Sequence, residues 1–116
     1  TKEDFIKWLK KEVAVYKPIL GLTLTKIAIE EDTDGPFLHM GFHYPYLDST
    51  LFFSDRAFKK WVDGKTEDID VLHECCHLLT DPLYAKALSR SSSKDEIEDA
   101  RELLTDTIAH IIYKLL

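Results

Sequence analysis

The succession of patterns along the chain predicts an α+β fold: an N-terminal helix, a small antiparallel-rich sheet of about three strands, and long helices closing the chain. Three observations carry that expectation. Apolar residues recur at helical spacing at the start, period-2 stretches broken by turn signals fill the middle, and further helical patterns with N-capping residues make up the rest.

Phe5, Trp8, Leu9, Val13 and Tyr16 form the apolar stripe of the first helix, which Pro18 and Gly21 end. TLTKIAIEE (23–31) is rich in β-branched residues and runs into EDTDG, whose Asp34-Gly35 pair signals a hairpin with FLHMGFHY (37–44) as partner strand. Alternation sets Phe37, His39, Gly41 and His43 on one side of that partner and Leu38, Met40, Phe42 and Tyr44 on the other, before Pro45 closes it. STLFFSD (49–55) is a third short strand, followed by the helix AFKKWV (57–62), which Gly64 terminates. Thr66 is placed to cap the next helix, with Glu67 and Asp68 where the helix dipole favours negative charge, and Pro82 ends it. In the last segment Ser93 and Glu96 have capping-box spacing, and Ile97, Ala100, Leu104, Ile108, Ile111 and Leu115 form an apolar stripe.

With 116 residues, 45% apolar and 31% charged, the chain is sized for one folded domain over residues 1–116 and one core, so one site is expected. A net charge of -6 with scattered basic residues argues against a nucleic-acid partner, whose phosphates call for clustered cations. No apolar run approaches the roughly 20 residues that span a bilayer. KEDFIKWLKKE, just after Thr1, lacks the apolar core of a secretory signal. No membrane association and a cytoplasmic location are therefore expected, with a monomer or small homo-oligomer as the assembly. Cys75 and Cys76 are the only cysteines; a bond between such neighbours in a helix is strained, so both are expected reduced and buried as small apolar groups.

The chemistry is concentrated in VLHECCHLLTDP (71–82). On a helix, His73 and His77 are about 40° apart around the axis and about 6 Å apart along it, so both imidazoles leave one face and can grip one ion. Glu74 lies about 100° away, beside the ligands, where a general base for a metal-activated water belongs. Leu72, Cys75, Leu79 and, at the edge, Val71 occupy the opposite side and anchor the helix to the core.

A catalytic zinc centre takes three protein ligands and leaves a fourth position open. A third histidine six residues after His77 is ruled out, because Leu83 stands there. Glu98, Glu102, Thr105, Asp106 and Ala109 lie on the side of the last helix away from its apolar stripe, so Glu102, or alternatively Glu98, can face the histidine pair. Glu102 is preferred because Asp106, one turn on, is then able to orient a ligating imidazole through its free N–H.

HECCH followed by Glu102-Leu103-Leu104-Thr105-Asp106 resembles the HExxH plus ExxxD pattern of gluzincin-type zinc metallopeptidases, and HECCHLLTDPL with an acidic final helix is similar to small metallopeptidases of bacterial and phage genomes. The resemblance covers roughly residues 46–112. It implies a minimal zincin-like domain with Zn²⁺ as cofactor, His73, His77 and Glu102 as ligands, Glu74 as base, Asp106 in support, and a peptide or protein substrate. It further implies an edge strand above the active-site helix that holds an extended peptide, which would be Thr50, Leu51, Phe52 and Phe53. Larger members carry a C-terminal subdomain that supplies an oxyanion-stabilising residue. Residues 1–116 are not expected to hold one, and Tyr84, Tyr113 and Arg101 remain open as substitutes.

Other residues are read more plainly. His39 and His43, roughly 13 Å apart along a strand, cannot chelate one ion together. His110 is expected at the core edge, and the aromatics Phe42, Tyr44, Phe52, Phe53, Phe58 and Trp61 mostly in the core. Two functions follow as expectations: zinc-dependent hydrolysis of peptide bonds with Glu74 as general base, or a catalytically silent zincin-like scaffold that binds zinc and a protein partner, such as a phage or regulatory accessory protein.

Overall fold

The computed structural model describes residues 1–22, 25–42, 48–88 and 93–116, the side chains at 42, 82, 85, 86 and 88 excepted. The first apolar stripe forms α1 (Lys2–Ile19), capped by Thr1 and Asp4 in a reciprocal capping box. Phe5, Leu9, Val13 and Tyr16 are buried, and the chain leaves the helix through Gly21 at φ 72, a left-handed conformation that suits glycine. Three strands follow, β1 (Ile27–Glu31), β2 (Leu38–Phe42) and β3 (Ser49–Phe53), and then α2 (Asp55–Val62), α3 (Asp68–Leu88) and α4 (Lys94–Leu115). No helix among the described residues is long and apolar enough to cross a membrane. His43, Tyr44 and Pro45 fall outside the described residues, as do Thr23 and Leu24.

The architecture is α+β as expected, but the sheet is mixed and its order is β1-β3-β2. β1 does not pair with β2 in a hairpin: β3 lies between them, parallel to β1 and antiparallel to β2. The turn forms, with Gly35 N–H donating to Asp32 C=O at 3.0 Å, yet six residues separate the two strands and leave room for a third. The amide of Asp32 then bonds the carbonyl of Phe53, and the amide of Ser54 bonds the carbonyl of Phe37, tying both flanking strands to the end of β3. Burial explains the order. Ser49, Leu51 and Phe53 are buried along β3, whereas β1 ends in two glutamates and tolerates an edge. Thr50, Leu51, Phe52 and Phe53 are therefore the central strand rather than a substrate-binding edge; the edge nearest α3 is β2.

Phe5 sits at the heart of the core, edge-on to Phe53 with ring centroids 5.2 Å apart and against Trp61 at 5.3 Å. Leu38, Met40, Val71, Leu72, Cys75, Cys76 and Leu78 complete it, so α3 is clamped against β2 and α1. Leu79, expected to anchor α3, is instead 42% exposed. The start of α3 also departs from expectation: Thr66 Oγ1 is buried with no hydrogen-bond partner among the described residues, while the Asp70 carboxylate accepts from Glu67 N–H at 3.1 Å. Pro82 does not end α3, which continues to Leu88. A proline interrupts only its own hydrogen bond and the carbonyl one turn back, a cost of about 3 kcal/mol, and packing against α4 spans the break.

α4 turns inward the side expected to face the histidine pair, while much of its apolar stripe stays outside. Leu104, Ile111 and Leu115 of the apolar stripe are exposed, and the buried positions are Thr105 and Ala109. Small side chains let the helix axes approach, and Thr80 Oγ1 and Thr105 Oγ1 meet at 2.8 Å in the contact. This rotation carries Glu102 and Asp106 toward α3.

Candidate metal centre

α3 and α4 together assemble a centre of two imidazoles ringed by carboxylates. His77 is buried and His73 partly so, with ring centroids 5.0 Å apart and planes at 78°. One ligand atom from each of His73, Glu74 and His77 lies within 4.8 Å of the other two. The Glu102 carboxylate faces both rings: Oε2 is 3.3 Å from His73 Nε2, and Oε1 is 3.4 Å from His77 Nε2. Tetrahedral ligands at metal bonds of about 2.0–2.2 Å stand about 3.4 Å from one another. Each Glu102 oxygen thus stands at neighbouring-ligand spacing from one of the two ring nitrogens, and the donor set of imidazole plus carboxylate fits a divalent ion of the zinc type.

The opposite nitrogen of each ring is also engaged. His73 Nδ1 lies 3.3 Å from Asp106 Oδ1, the orienting contact expected for that aspartate, and His77 Nδ1 lies 3.1 Å from Asp81 Oδ1. A carboxylate on Nδ1 holds that nitrogen as the protonated one and leaves Nε2 free to donate its lone pair. Asp81 is not among the residues expected from the sequence, although it stands four residues after His77, where side chains on a helix meet. The structure takes Glu98, the alternative ligand, elsewhere: its Oε1 accepts from Tyr84 Oη at 2.9 Å and lies 3.8 Å from Lys94.

Electrostatics favour a cation. Glu74, Asp81, Glu102 and Asp106 are offset locally by Arg101, whose Nη2 is 3.2 Å from Glu102 Oε1 and Nη1 3.9 Å from Asp81 Oδ1. Burial pushes the Glu74 carboxyl up to about 7; the charge of His77 opposes this, Glu102 and Asp81 add to it, and the Met40 backbone pulls it down. Burial works to lower the pKa of His77, but the Asp81 hydrogen bond and the charges of Glu74, Asp81 and Glu102 outweigh it and raise the value.

Two clefts flank the centre and share Leu38 and Glu74. One, of about 290 Å³, is bordered by Met40, His77, Asp81, Arg101 and Glu102; the other, of about 400 Å³, by Asp70, His73, Asp106 and His110. His110 is thus no core-edge residue but an exposed side chain beside the centre, its Nδ1 2.8 Å from the Asp106 carbonyl oxygen. His39 stacks on Phe52 with centroids 4.7 Å apart. Both cysteines are free and buried.

Compared with protein-family models, with curated proteins and with solved structures, the chain matches none.

Proposed function

We propose that the chain is a zinc-dependent peptide hydrolase of minimal zincin-like form. The observation that carries this reading is the Glu102 carboxylate poised at 3.3 and 3.4 Å from the Nε2 atoms of His73 and His77. His73, His77 and Glu102 would hold the ion, with Asp106 and Asp81 fixing the two rings. A divalent cation bound there supplies Lewis acidity, which polarises a scissile carbonyl and lowers the pKa of water toward 7. Glu74, on the same helix and bordering both clefts, is the group that takes up a proton and returns it to the leaving amine. Along β2, the edge strand over α3, an extended peptide would find backbone groups to pair with beside Leu38 and Met40.

One observation favours the second reading, a silent scaffold that binds zinc and a protein. Tyr84, Tyr113 and Arg101, the substitutes left open for an oxyanion-stabilising residue, are occupied or remote: Arg101 by Asp81 and Glu102, Tyr84 by Glu98, and Tyr113 in a separate cleft with Glu12, Tyr16 and Asp68. A peptide-library cleavage assay on zinc-loaded protein separates the two. Hydrolysis that disappears in Glu74→Gln with zinc content unchanged supports the enzyme; zinc-loaded wild type that cleaves nothing supports the scaffold.

A further inference from the structure

Glu102 sits astride the two imidazoles with nearly equal distances on either side, so its contacts with them do not decide whether one or both carboxylate oxygens would meet an ion. That choice has consequences. One oxygen with two imidazoles fills three positions and leaves the fourth of a tetrahedron to an added ligand such as water, whereas a second oxygen crowds that ligand into a five-coordinate shell.

Arg101 breaks the tie. Its Nη2 lies 3.2 Å from Oε1, and Oε2 has no such cation among the described residues. The guanidinium is itself fixed: it stacks on the Tyr84 ring at 3.9 Å, that ring is anchored through its hydroxyl to Glu98, and Nη1 reaches Asp81 Oδ1, the same oxygen that faces His77 Nδ1. Arg101, Glu102, His77 and Asp81 therefore form a closed circuit in which one guanidinium addresses the carboxylates on both nitrogens of His77. A lone pair directed at a guanidinium is a poorer donor to a metal, and the planar fork holds the carboxylate at a set rotation.

We infer that Arg101 is a positioning residue that reserves Glu102 Oε1, so that Glu102 binds a metal through Oε2 alone and a coordination place stays open. The inference rests on the metal-centre reading above and concerns how that centre is kept competent for an added ligand.

The test uses the full chain loaded with Co²⁺, whose d–d absorption is strong in four-coordinate and weaker in five-coordinate sites. Wild type is expected to take up one Co²⁺ per chain with a four-coordinate spectrum. Arg101→Gln is expected to keep that stoichiometry while its bands lose intensity, because the freed Oε1 joins the metal. Tyr84→Leu removes the stacking platform and the hydroxyl bonded to Glu98 but leaves Asp81, Glu102 and both histidines unchanged, and is expected to move the spectrum in the same direction to a smaller extent; it serves if Arg101→Gln does not fold. A wild type that takes up no Co²⁺ or Zn²⁺ overturns the metal-centre reading. A loaded wild type that is already five-coordinate, or folded variants with spectra identical to wild type, overturns the role of Arg101 and leaves the centre standing.

Discussion

Asp81 Oδ1 stands 3.1 Å from Nδ1 of His77, one helical turn along α3 from the histidine it orients. The relationship is repeated across the helix pair, where Asp106 of α4 reaches His73 Nδ1 at 3.3 Å. Each imidazole is thus held from behind by a carboxylate on a different helix. Asp81→Asn and Asp106→Asn are each expected to weaken zinc about 10–100-fold, because an amide neither fixes the tautomer as firmly nor raises the basicity of Nε2. Competition titration against a chromophoric chelator measures the change, and equal affinities for wild type and both variants would mean the aspartates are bystanders.

The helix pair that carries the site is pinned by a buried polar contact. Thr105 donates to the Arg101 carbonyl at 2.8 Å, so its oxygen is left to accept from Thr80. Thr105→Val strands a buried hydroxyl on Thr80 and is expected to cost about 1–3 kcal/mol in urea unfolding. Thr80→Val removes only an acceptor's partner and is expected to cost less, with the double variant less destabilised than the sum of the singles. Additive losses would show that the two hydroxyls do not act as a pair.

Burial pushes the thiol of Cys75 up to about 12 and that of Cys76 up to about 11. At pH 8 the native protein is therefore expected to leave both unreactive toward Ellman's reagent and to release two equivalents only in denaturant. The same shifts set a stability trend. The folded state keeps these protons while the unfolded chain, with thiols near 9, gives them up, so stability is expected to fall as pH rises from about 9 toward 12. A melting temperature flat across that window, or rapid native labelling, would contradict the buried placement.

The site helix was legible because helical spacing is local: His73, Glu74 and His77 need only a helix to share a neighbourhood, and Glu102 with Asp106 need only a second one. Asp81 carries the same kind of local signal, four residues from His77 on one helix. That Arg101 joins Asp81 to Glu102 depends on the rotation of α4, which the apolar stripe misreports. Leu104 and Ile111 outrank Thr105 and Ala109 in hydrophobicity, yet close approach to α3 selects the small pair. Strand order was illegible for a different reason. Alternation tells which face a side chain takes and says nothing of which strand lies next, so the Asp34-Gly35 turn looked like a hairpin until Leu51 and Phe53 claimed the centre of the sheet.

The central claim is that His73, His77 and Glu102 bind one divalent cation, and X-ray absorption at the zinc edge of the zinc-loaded chain tests it most directly. The expected result is nitrogen and oxygen donors alone at about 2.0–2.2 Å, with the outer-shell scattering of two imidazoles in wild type and of one, at reduced occupancy, in His73→Ala. A sulfur shell at about 2.3 Å, which would point to Cys75 or Cys76, or a protein that retains no zinc through gel filtration, would contradict it.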